Sequence, residues 1–425
     1  MSSILNISSH EILDSRGFPT LYTEVELEGG IKGAASVPSG ASTGIHEALE
    51  LRDKDNKRFK GKGVLNNIKF INSLIFDALA GLDSRRQKDI DRLLIDLDGT
   101  NNKKKLGANT LLSVSLAIAK AAANYEKKEL YTYLGGINAY LLPIPLVNVI
   151  NGGAHANNNL DIQEYMITPI GAKSFKEAIR WCTEIFYNLK EILKSKNLNT
   201  SVGDEGGFAA DFKNNETPIE FLIKAIKASR LNPERQVMIS LDVAANEFYK
   251  NKKYNLSSNK TSYTSSSMVD YLKTLRKKYP IFSIEDGLAE DDWKGWTYLS
   301  NELCKNTLIV GDDLFVTNKN RLLKGIELKA ANSILIKLNQ IGTLSETLDT
   351  IHLAKKNNYN TIISHRSGET EDNFISDLAI SSNAMFLKSG SITRSERCSK
   401  YNRLILLESI NKNLVYSGIE LNEKI

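Results

Sequence analysis

Met238-Ile-Ser-Leu-Asp242, Ile281-Phe-Ser-Ile-Glu285 and Leu308-Ile-Val-Gly-Asp-Asp313 are short apolar runs that each close on a carboxylate. The series continues with Ser333-Ile-Leu-Ile-Lys337, Thr361-Ile-Ile-Ser-His-Arg366 and Met385-Phe-Leu-Lys388. Runs this short, apolar on both faces, read as strands buried in a parallel sheet. The residues Asp242, Glu285, Asp312, Lys337, Arg366 and Lys388 are 43, 27, 25, 29 and 22 positions apart. Most of these intervals fit one strand plus one helix, and amphipathic stretches such as Trp296 to Cys304 and Ser345 to Lys356 supply the helices. The polar insertion Asn251 to Ser267 lengthens the first interval. The 285 residues after position 140 suffice for the roughly 250 of an eight-stranded β/α barrel. An open doubly wound sheet is the alternative, but charges ending six strands favour closure, because closure brings them to one mouth.

Upstream the pattern differs. Thr20 to Leu27 alternates in polarity and runs into Gly29-Gly30, a strand and its turn, resumed by Ala34 to Val37. Asn67 to Leu79 carries apolar residues at helical spacing, and Asn109 to Ala123 is an Ala- and Leu-rich helix apolar enough to be buried. Leu134 to Pro145, with two prolines and two glycines, is read as irregular and as the boundary. The expected fold is therefore α/β: an N-terminal α+β domain over residues 1–138, then a barrel over 139–425.

Hydrophobic residues at 41% and charged residues at 25% exclude a disordered or fibrous chain. The most apolar stretch, Leu111 to Ala123, is interrupted by Ser113, Ser115 and Lys120 and cannot span a bilayer. Met1-Ser-Ser-Ile-Leu-Asn6 has neither the basic nor the apolar part of a signal peptide, so a cytoplasmic protein is expected. Cys182, Cys304 and Cys398, 122 and 94 residues apart, suggest neither a disulfide framework nor a zinc site. The net charge of +5 arises from 55 basic and 50 acidic residues spread along the chain, which gives no nucleic-acid stripe.

Three carboxylates gathered at one mouth would repel without a cation, and an oxygen-only set suits Mg²⁺ better than zinc. Each of Asp242, Glu285 and Asp312 could instead pair with a rim lysine or arginine. Lys337 and Lys388 face the same mouth; a lysine beside cations and shielded from water loses its proton more easily and can act as a base. Arg366 offers a fork for phosphate or carboxylate, while His365 reads equally as a packed strand-end residue or a ligand contact. Ser39-Gly-Ala-Ser-Thr-Gly44 could fold over an anion but lacks the ending of a P-loop. In Gly203-Asp-Glu-Gly-Gly207, either Asp204 or Glu205 could be an acid carried by a mobile loop, or the segment is a tight turn.

Eight segments together resemble the enolase family: Pro38 to Gly44, Asn151-Gly-Gly-Ala-His155, Asp161-Ile-Gln-Glu164, Gly203 to Phe208, Ser283-Ile-Glu-Asp-Gly287, Val310 to Asn318, Ile336 to Thr343 and Ser364 to Thr370. The likeness runs from Glu11-Ile-Leu-Asp-Ser-Arg16 to Ser395 to Asn402, nearly the whole chain. It implies a small α+β domain followed by a barrel whose first units depart from strict βα order. It implies reversible dehydration of 2-phosphoglycerate to phosphoenolpyruvate with two Mg²⁺ per site, the second arriving with substrate, in a homodimer or larger assembly. Asp242, Glu285 and Asp312 would hold the first ion and Ser42 would help hold the second. Lys337 would be the base at C2 and Glu205 the acid for the C3 hydroxyl. His155, Gln163, Glu164, His365, Arg366, Ser367 and Lys388 would contact substrate.

The chemistry requires a neutral Lys337 and a protonated Glu205, the reverse of their ordinary states at pH 7. Mg²⁺ and Lys388 are expected to push the lysine down, and burial and neighbouring carboxylates to push the glutamate up. Phe18, Ser113, Ala210-Asp211 and Ser389 depart from the family pattern, and they bear on loop rigidity, not on any charged catalytic group. A sugar-acid dehydratase or cycloisomerase of the same superfamily is disfavoured by the Ser39–Gly44 and Ser364–Gly368 segments. A second role, binding plasminogen at a cell surface reached without a signal peptide or joining an RNA-degrading assembly, is weakened for plasminogen by the ending Glu423-Lys424-Ile425.

Overall fold

The computed structural model describes residues 1–40 and 44–422. Ile4–Leu13, Pro19–Leu27 and Lys32–Ser36 form an antiparallel sheet in sequence order. Its first strand has no counterpart in the sequence reading. Helix Ala108–Tyr125 packs on this sheet with nearly all its residues buried. The approach is so close that a Cβ on Gly33 would stand 2.1 Å from the Ala121 amide nitrogen, so only glycine fits there. The helix expected near Asn67 to Leu79 runs over 65–79 with one π turn at Ile71–Ile75.

The remainder closes into a barrel of eight strands. They are Ile144–Asn151, Glu164–Thr168, Met238–Asp242, Ile281–Glu285, Leu308–Gly311, Ser333–Ile336, Asn360–Ser364 and Phe386–Lys388. All six runs singled out in the sequence are barrel strands. The insertion after Asp242 folds as a small meander of Tyr249–Lys250, Lys253–Leu256 and Thr261–Tyr263. Among the described residues, no helix is long and apolar enough to cross a membrane.

Two features of the barrel depart from the residue-level expectation. Leu134 to Pro145 is not wholly irregular, because the first barrel strand begins at Ile144 and carries Pro145. The proline is tolerated because its antiparallel neighbour engages only from Val147, so no amide is required of it on that side. The second strand, Glu164–Thr168, runs antiparallel to both neighbours. Its first residue therefore lies at the mouth where the other strands have their last. Glu164 pairs in register with Asp242, and Asp242 with Glu285, so three acids stand side by side on adjacent strands.

Candidate active site

Lys388, the last residue of its strand, stands among this row of acids. Its ammonium donates to Asp242 Oδ2 at 3.0 Å and to Glu285 Oε1 at 2.8 Å, with Glu164 Oε1 at 3.1 Å. Three carboxylates thus take the three donors of one ammonium. Burial opposes its charge, but Asp242, Glu164 and Glu285 outweigh burial and hold Lys388 well above the usual lysine range. Gln163 donates to Asp242 at 3.3 Å. One strand further round, Asp312 pairs closely with Lys337 and accepts from Gln340 Nε2 at 2.9 Å. Asp286 fixes this turn by accepting the amides of Asp312 and Asp313 at 2.9 and 2.8 Å.

The lowered pKa expected of Lys337 is not found. Burial pushes it down, as do Arg366 and Lys388, but Asp312 and Glu285 raise it above the usual lysine value. The tight ion pair with Asp312 is the reason.

Between Asp204 and Glu205 the structure discriminates: Asp204 is exposed and Glu205 is 2% exposed. A turn closed by Gly203 N–H to Gly207 O at 2.8 Å carries Glu205 inward. There its Oε2 accepts from Asn148 Nδ2 at 3.1 Å and lies 3.6 Å from His155 Nδ1, and its Oε1 lies 3.6 Å from His365 Nε2. The expected upward shift of Glu205 is also corrected. Burial pushes it up, but His155, His365, Arg397 and Lys388 together hold it well below the carboxylate range. Glu164, buried and facing the charge of Glu205, is instead pushed well above it. The two carboxyls titrate as a pair, pushed in opposite directions.

Arg397 is fully buried and donates to His365 Nδ1 and to the carbonyls of Arg366 and Ser367, each at 2.6 Å. A guanidinium cannot accept, so His365 Nδ1 is the acceptor and its proton sits on Nε2, aimed at Glu205. Burial pushes this imidazole well below the usual histidine range, against the pull of Glu205. Arg397→Met should leave these acceptors unpaired, at about 1–3 kcal/mol each. Urea denaturation should register a loss of at least about 3 kcal/mol.

Arg366 follows the seventh strand. Its guanidinium passes under the backbone at Gly40, where a Cβ would stand 1.9 Å from Nη2. Ser39 N–H donates to Gly368 O at 2.8 Å and Gly368 N–H to Ser39 O at 2.9 Å, which ties the N-terminal domain to the barrel mouth. Ser42 lies outside the described residues. His155, Gln163, Glu164, Glu205, Asp242, Lys337, His365, Arg366, Ser367 and Lys388 line one narrow cleft of about 20 Å³. Glu285 and Asp312 lie beside it, in contact with the two lysines.

The donor set fits a hard divalent cation. Asp242, Glu285 and Asp312 are all buried and offer only oxygen, and two lysine ammoniums already meet their charge. Burial and then Asp242 push Glu285 well above the carboxylate range, a sign of anionic excess that a further cation would relieve. Among the described residues, the sets whose ligand atoms lie within 4.8 Å of one another are His155, Glu164 and Glu205, and Asp286, Asp312 and Asp313. The expected trio is less tight: Lys388 takes Asp242 and Glu285, while Lys337 and Gln340 take Asp312.

The departures from the family pattern have local partners. Phe18 lies under the Lys62 ammonium, 3.8 Å from its ring centre. Asp211 accepts from the Asn159 amide at 3.1 Å, and Ser113 Oγ accepts from Thr23 Oγ1 at 2.9 Å. Nothing in the structure explains Ser389, whose buried hydroxyl has no hydrogen-bond partner among the described residues.

A barrel whose mouth gathers buried acids, two lysines and an arginine under an α+β domain is an enzyme for a small molecule. Residues 4–134 match the family model for the enolase N-terminal domain, and residues 139–425 match that for the enolase C-terminal TIM barrel domain. The chain belongs to the enolase family and is a lyase of that superfamily.

Proposed function

We propose that the protein catalyses the reversible dehydration of 2-phosphoglycerate to phosphoenolpyruvate, the hydro-lyase step of glycolysis and gluconeogenesis. The observation that carries this reading is that Lys337, Glu205 and Arg366 line one cleft beside three buried carboxylates. A neutral Lys337 takes the proton from C2. The electron pair left there forms the C2–C3 double bond, and the C3 hydroxyl departs as water with a proton from Glu205. That proton is supplied within the Glu164–Glu205 pair, with His365 and His155 bordering it. Arg366 and Ser367 hold the phosphate, while Lys388, Gln163 and Glu164 orient the remainder of the substrate.

Asp242, Glu285 and Asp312 would hold one Mg²⁺, and Ser42 would help hold a second that arrives with substrate. When bound, these ions supply charge neutralisation to the substrate carboxylate as C2 loses its proton. The reading includes a cytoplasmic homodimer, divided into domains at 138/139.

Turnover of 2-phosphoglycerate, followed by the ultraviolet absorbance of phosphoenolpyruvate, tests the activity. Excess EDTA should abolish it and added Mg²⁺ restore it. Binding to the folded state should also raise stability by about 2.7 kcal/mol at a hundredfold excess over Kd, read as a higher Tm without any substrate. Full activity in EDTA would overturn the metal assignment.

A further inference from the structure

Glu47, in the segment that follows Gly44, lies 319 positions before Arg366 in the chain, yet its carboxylate sits on that arginine. Oε2 accepts from Nη1 at 2.9 Å and Oε1 from Nη2 at 3.2 Å, a two-pronged pair between groups 9% and 3% exposed. Glu47 Oε1 also accepts from the Gly44 amide at 3.1 Å and from Gln340 Nε2 at 3.4 Å. The same Gln340 nitrogen donates to Asp312, the partner of Lys337. Gln340 is itself fixed, because its Oε1 accepts from Thr317 Oγ1 at 2.8 Å while that oxygen accepts the Lys337 amide at 2.8 Å. A continuous polar chain therefore runs Arg366–Glu47–Gln340–Asp312–Lys337.

A carboxylate on the arginine that should take the substrate phosphate has two opposite meanings. It could occupy the anion's place and have to leave, or it could stand behind the guanidinium and set its plane. Placement decides between them: Arg366 lines the cleft and Glu47 does not. Asn339 Oδ1, at 3.0 Å from Nη1, braces the same guanidinium. A planar fork held at two nitrogens cannot rotate about its last bonds, so its orientation is fixed before an anion arrives.

We infer that Glu47 is a positioning residue for substrate, holding Arg366 in its anion-binding orientation and linking that arginine to the backbone at Gly44. The inference rests on the functional reading only in taking the anion to be the substrate phosphate.

The test is Glu47→Gln, with Glu47→Asp as the conservative control, assayed for KM and kcat on 2-phosphoglycerate. Affinity for inorganic phosphate is titrated separately by calorimetry. Losing a charge-assisted contact of this kind should raise KM and the phosphate Kd by about 10–100-fold, well beyond any fall in kcat. Glu47→Asp should restore part of the loss. In an Arg366→Lys background, Glu47→Gln should cost little more, because the residue acts through that arginine. A lower KM and tighter phosphate binding in Glu47→Gln would identify a plug and overturn the inference. A Tm loss with KM and phosphate affinity unchanged, or full additivity with Arg366→Lys, would overturn it as well. If the wild type fails to turn over 2-phosphoglycerate, the functional reading falls, and the phosphate titration still decides the role of Glu47.

Discussion

Lys337→Ala should lower dehydration of 2-phosphoglycerate by at least about 10²–10⁴-fold, together with exchange of its C2 hydrogen into D₂O. Exchange needs only removal and return of the C2 proton, so losing both reactions together is the mark of the base. Paired with Asp312, Lys337 is held charged, above the usual lysine range, and cannot accept a proton. A metal ion held by Asp312 would take up that charge and leave burial, Arg366 and Lys388 pushing Lys337 down, against Glu285. In the proposed reading, metal loading would thus favour the base form of Lys337. NMR of 2-phosphoglycerate in D₂O at matched Mg²⁺ reads both quantities. Exchange that survived in Lys337→Ala would place the base elsewhere, with Lys388 next in line. That residue is a poorer candidate, because three carboxylates hold its ammonium.

How much of this could be read from residues alone depended on whether a pattern or a contact carried the information. The six apolar runs closed by charges announced parallel strands and a shared mouth, since burial on both faces leaves a composition signature. Glu164-Tyr-Met-Ile-Thr168 is just as apolar, but nothing in its composition states that it runs the other way. Asp242 and Glu285 were legible as strand-end acids, whereas Glu164 entered only through the family likeness as a substrate contact, and its place in their row needed the register. Pro145 misled because proline usually ends strands, and only the late engagement of the neighbouring strand permits it here. Glu47 left no local signal, and Gln340 and Arg397 lay in segments of family likeness without an assigned role, since what singles them out is a partner elsewhere in the chain. The charge states were hardest: carboxylates around Glu205 were foreseen, but the opposing ring of His155, His365 and Arg397 was not.

That ring decides what Glu205→Gln should do. Glu205 is pushed well below and Glu164 well above the carboxylate range, so in the proposed mechanism the proton needed for departure of hydroxide is shared within this pair. Glutamine keeps the shape of the glycine-flanked turn and can still accept from Asn148, but it can neither hold nor donate this proton. Phosphoenolpyruvate formation should therefore fall by at least about 10²–10⁴-fold. Proton removal by Lys337 does not use Glu205, so exchange of the C2 hydrogen should remain measurable, the reverse of the Lys337→Ala result. The substitution also removes the negative charge that raises Glu164, so Glu164 should ionise more readily in the variant. A carbon-13 label on the glutamate carboxyls would follow that change without any turnover. If Glu205→Gln bound 2-phosphoglycerate normally yet lost exchange as fully as Lys337→Ala, the division between base and acid proposed for this cleft would be wrong. If it retained dehydration, the proton on Glu164 would be reaching the hydroxyl by a route that bypasses Glu205, and Glu164 itself would be the acid.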